Sequence, residues 1–312
     1  MKTIANILKI KYPVIQGGMA NIATAELAAA VSNAGGLGLI GAGGNSAQWV
    51  REEIIKLRKL TDKPFGVNIM LMSPHSAEIA ELIIEMKVPV VTTGAGAPGN
   101  YIPAWKEAGI FVAPVVPSVA LAVRVARQGA DAVIVEGTEA GGHIGELTTM
   151  SLVPQVVDAV DIPVIAAGGI ADQRGVLAAF ALGASGVQIG TVLLASTECP
   201  IHENYKDKIV KAKDIDTIVT GRELRAPVRV LKNKMANEYL RLSKENVELM
   251  ELEKLTLGSL RKAVYEGDLD NGSFMAGQIA GLVKEIKSVK EILSAMFDQV
   301  DQYKKEINVM GD

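Results

Sequence analysis

Asp131-Ala-Val-Ile-Val-Glu-Gly137, Ile162-Pro-Val-Ile-Ala-Ala-Gly-Gly169 and Gly186-Val-Gln-Ile-Gly-Thr191 decide the fold. Each is a short, continuously apolar, β-branched run that stops at glycine, and the first two are followed by a stretch with helical periodicity. A run that is apolar throughout implies burial on both faces, the signature of a parallel strand covered by helices. Five more runs of this kind lie upstream: Tyr12–Gly17, Gly36–Gly41, Pro64–Met70, Val88–Gly94 and Ile110–Val116. The starts recur roughly every 20 to 30 residues, the length of one strand–helix unit. Amphipathic segments such as Ala47 to Leu60 and Ser76 to Met86 fill the intervals, with start signals at Ser46 and Ser73-Pro74. Eight such units predict a closed (β/α)8 TIM barrel. An open doubly wound sheet is the rival; it usually has fewer strands and a glycine-rich first turn.

Beyond the eighth strand the pattern changes. The predicted division is a barrel core over 1–197 and a mostly helical C-terminal part over 198–312, packed on the barrel. Within that part, Lys234 to Leu257 reads as one amphipathic helix and Gly267 to Gly277 as a glycine-rich loop. Phe274 to the C-terminus reads as helical again, with Leu282, Ile286, Val289 and Ile292 at helical spacing.

Composition narrows the function. With 49% hydrophobic residues in 312, the chain can bury a large core and is not disordered. The net charge of -3, without basic blocks, argues against a nucleic-acid partner. The uncharged stretches Leu27 to Val50 and Gly175 to Thr197 are broken by glycines and polar residues, so no membrane span is expected. The single cysteine, Cys199, excludes an internal disulfide framework or a multi-cysteine zinc site, and the chain reads as cytoplasmic.

In barrels of this type the active site gathers at the C-terminal ends of the strands. Those ends present Gln16-Gly17-Gly18-Met19, Asn68, Thr92-Thr93-Gly94, Glu136 through Gly141-Gly142-His143, Ala167-Gly168-Gly169 and Gln188-Ile189-Gly190-Thr191. The loops after strands seven and eight are the usual phosphate site of the fold, and glycine lets backbone N–H groups approach an anion closely. His143, in the loop after strand six, is the candidate for proton transfer. His75 and His202 read as surface residues. The string Gly94-Ala-Gly-Ala-Pro-Gly99 matches a dinucleotide fingerprint, but no acidic residue ends the following strand, so that reading fails.

Four strings carry a resemblance: Tyr12-Pro-Val-Ile-Gln-Gly-Gly-Met19, Pro64-Phe-Gly-Val-Asn-Ile-Met70, Glu139-Ala-Gly-Gly-His143 and Ile165-Ala-Ala-Gly-Gly-Ile-Ala-Asp172, together with Met275-Ala-Gly-Gln278. They resemble the FMN-dependent nitronate monooxygenase and enoyl-acyl-carrier-protein reductase II superfamily over nearly the whole chain. Val90-Val-Thr-Thr-Gly-Ala-Gly96, Pro114-Val-Val-Pro-Ser-Val-Ala-Leu121 and Leu147-Thr-Thr-Met150 look most like the enoyl reductase branch. The resemblance implies FMN, with NADH or NADPH as a transient reductant. Hydride would pass from flavin N5 to the β-carbon of an enoyl thioester, with a proton added at the α-carbon.

On that basis Gly168, Gly169, Gly190 and Thr191 hold the FMN phosphate. Asn68 and Gln188 bond the ring or ribityl chain, and Gly17, Gly18 and Met19 line the flavin. Glu136, Gly141, Gly142 and Ala167 add contacts at the sixth and seventh strand ends. Met275 and Gln278 close the pocket, and His143 faces the substrate as proton donor or carbonyl polariser. Many relatives carry arginine after the Gly-Thr of strand eight; here that residue is Val192. The resemblance further implies an acyl carrier protein or coenzyme A thioester as substrate, a homodimer, and a monovalent cation whose ligands the sequence does not single out. Two alternatives stay open: oxidation of alkyl nitronates by oxygen, and a barrel that binds a phosphorylated ligand without redox chemistry.

Overall fold

Residues on alternate positions of the strands face two different apolar environments, one inside the barrel and one beneath its helices. A computed structural model describes residues 3–245 and 247–306. Eight parallel strands form it: β1 (Val14–Gln16), β2 (Gly38–Gly41), β3 (Phe65–Met70), β4 (Val90–Gly94), β5 (Phe111–Val116), β6 (Val133–Glu136), β7 (Val164–Ala167) and β8 (Gly186–Ile189). Each lies inside a run expected from the sequence. Consecutive strands pair in order from β2 to β8, and β8 pairs with β1. The seam between β1 and β2 is the weakest ladder. It holds through Gln16 N–H to Leu37 O (2.9 Å), Leu37 N–H to Val14 O (2.9 Å), and the buried Gln16 amide, which donates to Leu39 O at 3.0 Å. Gln16 thus completes the barrel wall, lending its side chain where backbone pairing runs out.

Inward residues Ile15, Leu39, Val90, Ala113, Ile134 and Ile165 form a core that the N-terminal helix Ile4–Leu8 plugs from below with Ile4 and Leu8. Outward residues such as Val67, Val91, Val112, Val133, Val164 and Val187 pack under the helices in a second, larger core. Both alternating sets are apolar, which is why the runs look continuous.

Seven helices follow the strands as expected, among them Ala47–Leu60, capped by Ser46 Oγ accepting from Trp49 N–H, and Gln173–Ala181, capped by Asp172. After β8 only the short helix Thr191–Leu194 occurs. The place of the eighth helix is taken by Val289–Phe297, which packs against both Ala25–Asn33 and Gln173–Ala181. Tyr12 stacks on Phe297 (5.1 Å) and donates to Asp298 at 2.8 Å, fixing that helix to the start of β1.

The C-terminal part departs from the sequence reading in three ways. It contains a β-hairpin, Thr217–Thr220 with Val228–Leu231, within the part expected to be mostly helical. The expected helix Lys234 to Leu257 is two helices, Lys234–Lys244 and Leu249–Thr256, with Asn246 outside the described residues. The stretch from Phe274 is an extended segment and a 3-10 turn (Gln278–Leu282) before the helices Val289–Phe297 and Val300–Glu306; the expected helix over 307–312 lies outside the described residues. Among the described residues no helix is long and apolar enough to cross a membrane.

Candidate active site

The strand ends and the C-terminal part enclose one cavity of about 1010 Å³. Gly17, Gly18, Met19, Asn68, Glu136, Gly141, Gly142, His143, Ala167, Gly168, Gly169, Gln188, Gly190, Thr191 and Met275 all line it. Gln278 does not. It is exposed at the start of the 3-10 turn, and its backbone N–H donates to Glu139 O at 2.9 Å.

The anion-binding end is built from the turns after β7 and β8. Gly168 (φ +89°) and Gly169 (φ +77°) adopt backbone angles that a side chain disfavours by about 1–2 kcal/mol. A Cβ on Gly168 would also meet Gly137 O at 2.9 Å. Thr191 is buried, and its Oγ1 accepts the Gly277 N–H at 2.9 Å, which leaves the hydroxyl hydrogen free for a ligand in the cavity. Val192 is buried in the core, and Arg261 is the sole arginine or lysine among the lining residues.

Polar side chains sit further in. Asn68 donates to Thr92 Oγ1 at 2.9 Å. Gln188 is 7% exposed, and its Oε1 has no hydrogen-bond donor. Burial pushes the Glu136 carboxyl up to about 8. It is half-buried and lines the cavity, and the protein packed around it disfavours the charged form.

The loop after β6 is clamped from both sides. The Glu139 carboxylate accepts the Thr149 N–H at 2.9 Å and caps the helix Thr149–Val157. A Cβ on Gly141 would lie 2.6 Å from the Ala276 carbonyl carbon, so only glycine admits the strand-like segment Phe274-Met275-Ala276. That segment is held by Leu231 N–H to Phe274 O (2.8 Å) and Tyr205 Oη to Met275 O (2.7 Å). Gly142–His143 itself becomes a third strand on the hairpin, with His143 opposite Val228 and Gly142 opposite Arg229. The His143 ring is open to the cavity, yet the protein around it lowers its pKa by desolvation, so the imidazole is neutral at pH 7.

Sequence reasoning missed several residues here. Arg229 is buried beneath the His143 loop and donates to Thr138 O at 3.1 Å and to Thr217 Oγ1 at 3.2 Å. Tyr239, Leu257, Gly258 and Arg261 complete the outer wall. The runs Thr217-Ile-Val-Thr220 and Val228-Arg-Val-Leu231, separated by Gly221 and Pro227, carried a hairpin signal. The remaining two histidines are peripheral: His202 Nδ1 accepts from Asn204 N–H at 3.1 Å and caps the helix Glu203–Val210. On that helix Lys206 is buried and Lys208 lies 5.4 Å above the Phe274 ring, while Lys211 and Lys213, just beyond its end, are exposed.

Comparison with known proteins gives a consistent result. The family model described as nitronate monooxygenase matches residues 2–85 and 79–299. A probable nitronate monooxygenase of Staphylococcus saprophyticus is 36% identical, over 91% of this chain and 94% of that protein. The structure of FabK from Thermotoga maritima superposes with a TM-score of 0.96 at 52% identity, covering 98% of each chain. A nitroalkane oxidase from Streptomyces ansochromogenes superposes with a TM-score of 0.85 at 28% identity, covering 96% of this chain and 98% of that one.

Proposed function

The chain belongs to the nitronate monooxygenase family, and from that premise we propose that the protein is an FMN-dependent enoyl thioester reductase. The observation that carries this reading is the 52% identity to FabK, the enoyl-acyl-carrier-protein reductase II that the sequence strings resemble, over 98% of both chains.

The residues present fit FMN. The glycine turns after β7 and β8 leave room for a phosphate beside the Thr191 hydroxyl, and the orphaned Gln188 Oε1 and unpartnered Glu136 offer polar contacts to a ring or polyol. Bound FMN would relay two electrons, taking hydride from NADH or NADPH and passing it to the β-carbon of the enoyl thioester. The chain's own residues do the rest. Gly168, Gly169 and Thr191 anchor the phosphate end; Met275 and the Phe274–Ala276 segment close the cavity against water. Neutral His143 hydrogen-bonds the thioester carbonyl through its ring N–H, drawing charge away from the β-carbon, and the α-carbon then takes a proton. The lack of a resident dinucleotide motif fits a nicotinamide that leaves after each reduction. An acyl carrier protein or coenzyme A thioester, a homodimer, a monovalent cation and a cytoplasmic location belong to the same proposal.

One observation favours a second reading. The neutral His143 ring N–H can equally donate a hydrogen bond to an oxygen of an alkyl nitronate, which is already deprotonated at carbon and needs no base. Anaerobic oxidation of NADH or NADPH that depends on an added enoyl thioester is the expected result. Oxygen uptake with an alkyl nitronate, and no thioester-dependent oxidation, would replace the first reading by the second. A protein that stays colourless with FMN would sink both.

A further inference from the structure

Glu136 is the one acidic side chain in the cavity that nothing in the protein engages, since burial alone acts on it among the described residues. The barrel register explains its setting. Glu136 stands opposite Ala167 on β7, and Ala167 stands opposite Gln188 on β8. The three therefore share one row, with a methyl group between two long polar side chains. Parallel strands lie about 4.8 Å apart, so the outer two backbones are roughly 10 Å apart. The row is a notch with a carboxyl at one end and an amide oxygen that lacks a donor at the other. A ligand chain of hydroxyl groups satisfies both ends at once, donating to Gln188 Oε1 and accepting from a protonated carboxyl.

Resting on the flavin reading above, we propose that Glu136 holds the cofactor as a neutral carboxylic acid, donating its proton to an oxygen of the polyol chain, and that its ionisation weakens flavin binding.

The surroundings leave Glu136 to titrate alone. Glu139, on its own loop, is engaged by Thr149, and the helix Thr149–Val157 carries no charged side chain. From β5 the cavity receives Val115 and Pro117, and from β7 and β8 Ala167 and Gln188. From the loop after β6 it receives His143, whose pKa is lowered, so it is already neutral where Glu136 ionises. Arg229 is committed to Thr138 O and Thr217 Oγ1, and Arg261 is exposed beside Tyr265. A pKa of about 8 keeps the acid form through pH 7, with burial as its cause. The sign follows: a raised pKa means that binding is fully present at low pH and is lost as pH rises through about 8.

The test is FMN affinity of the apoprotein by flavin-fluorescence titration from pH 7 to 9, a window in which the ligand phosphate, with a second pKa of about 6, no longer changes charge much. The wild type should lose affinity about tenfold across it, one unit past the midpoint giving roughly that factor. Glu136→Gln, which keeps a donor that cannot ionise, should bind at pH 7 and stay flat. A flat wild-type profile, a Gln variant that tracks the wild type, or a folded Gln variant that loses flavin at pH 7 would each overturn the proposal. Should the variant not fold, a protonated-carboxyl C=O band in the infrared spectrum of wild-type holoenzyme at pH 7, absent when Glu136 is replaced by Asn, supports it, and its absence in wild type overturns it. Wild type that binds no FMN at any pH would instead remove the flavin reading itself.

Discussion

Thr191→Val separates two roles that meet at a single oxygen. Valine keeps the shape of threonine to within one atom, so packing is preserved while Oγ1 is lost. In the structure that oxygen accepts the Gly277 N–H at 2.9 Å, and both residues are buried. Leaving a buried N–H without an acceptor costs about 1–3 kcal/mol. In a chain of this size each kcal/mol moves the melting temperature by roughly 2–4 °C, so the apoprotein should melt about 2–12 °C lower. Independently, a hydrogen bond from the hydroxyl to a phosphate is charge-assisted and worth about 1.5–3 kcal/mol, equivalent to roughly 10- to 150-fold in flavin affinity. Thr191→Ser restores the oxygen and should recover most of both effects. Calorimetry of the apoprotein reads the first effect and FMN titration the second. An unchanged melting temperature in the valine variant would refute the tie between the β8 turn and the C-terminal segment. Unchanged flavin affinity would refute the phosphate site.

Three further outcomes are expected. Gly141→Ala pushes a methyl group into the Ala276–Gly277 backbone and should cost about 1–3 kcal/mol in chemical denaturation, whereas Gly44→Ala, where nothing lies within 4 Å, should cost less than about 0.5 kcal/mol; equal losses would contradict the close approach. His143→Ala should keep FMN, measured by absorbance, while turnover of the enoyl thioester drops by about 10²-fold or more, the usual scale of a positioned proton-transfer group; near-normal turnover would take His143 out of the mechanism. Cys199 is buried with its thiol pushed up to about 12, so a thiol reagent at pH 8 should label the protein only after denaturation.

The barrel was legible because local pattern determines it. Most strands are short β-branched runs that end at or near glycine, and a cap such as Ser46 lies beside the helix it starts. The phosphate-site turns were legible for the same reason, since the fold fixes where strand ends converge. What could not be read depends on pairing across the chain. The Gly142–His143 strand exists only because Val228 and Arg229 lie beside it, and two residues carry no β pattern of their own. The notch formed by Glu136, Ala167 and Gln188 is a property of register across three strands, visible only when they are aligned. The stretch from Phe274 was misread for a related reason: helical spacing of Leu282, Ile286 and Val289 continued across a segment that tertiary pairing holds extended. The helix Lys234–Lys244 ends without glycine or proline, so charge periodicity ran on past its true end.

The Val289–Phe297 helix has a consequence for how the molecule is made. Ribosomes release the chain from its N-terminus, and the groove between Ala25–Asn33 and Gln173–Ala181 stays uncovered until this late segment emerges. The hydrogen bond between Tyr12 and Asp298 joins residues 286 positions apart. Contacts so distant in sequence form slowly, because the loop they close is long. Between the completion of β8 and the emergence of this helix the nascent barrel therefore has an open, apolar flank, the kind of surface that invites aggregation or a chaperone. The ordering also acts as a safeguard. The Phe274–Ala276 wall of the cavity precedes this helix by only a few turns of chain, so a nascent protein completes its reactive chamber and seals its flank at nearly the same moment.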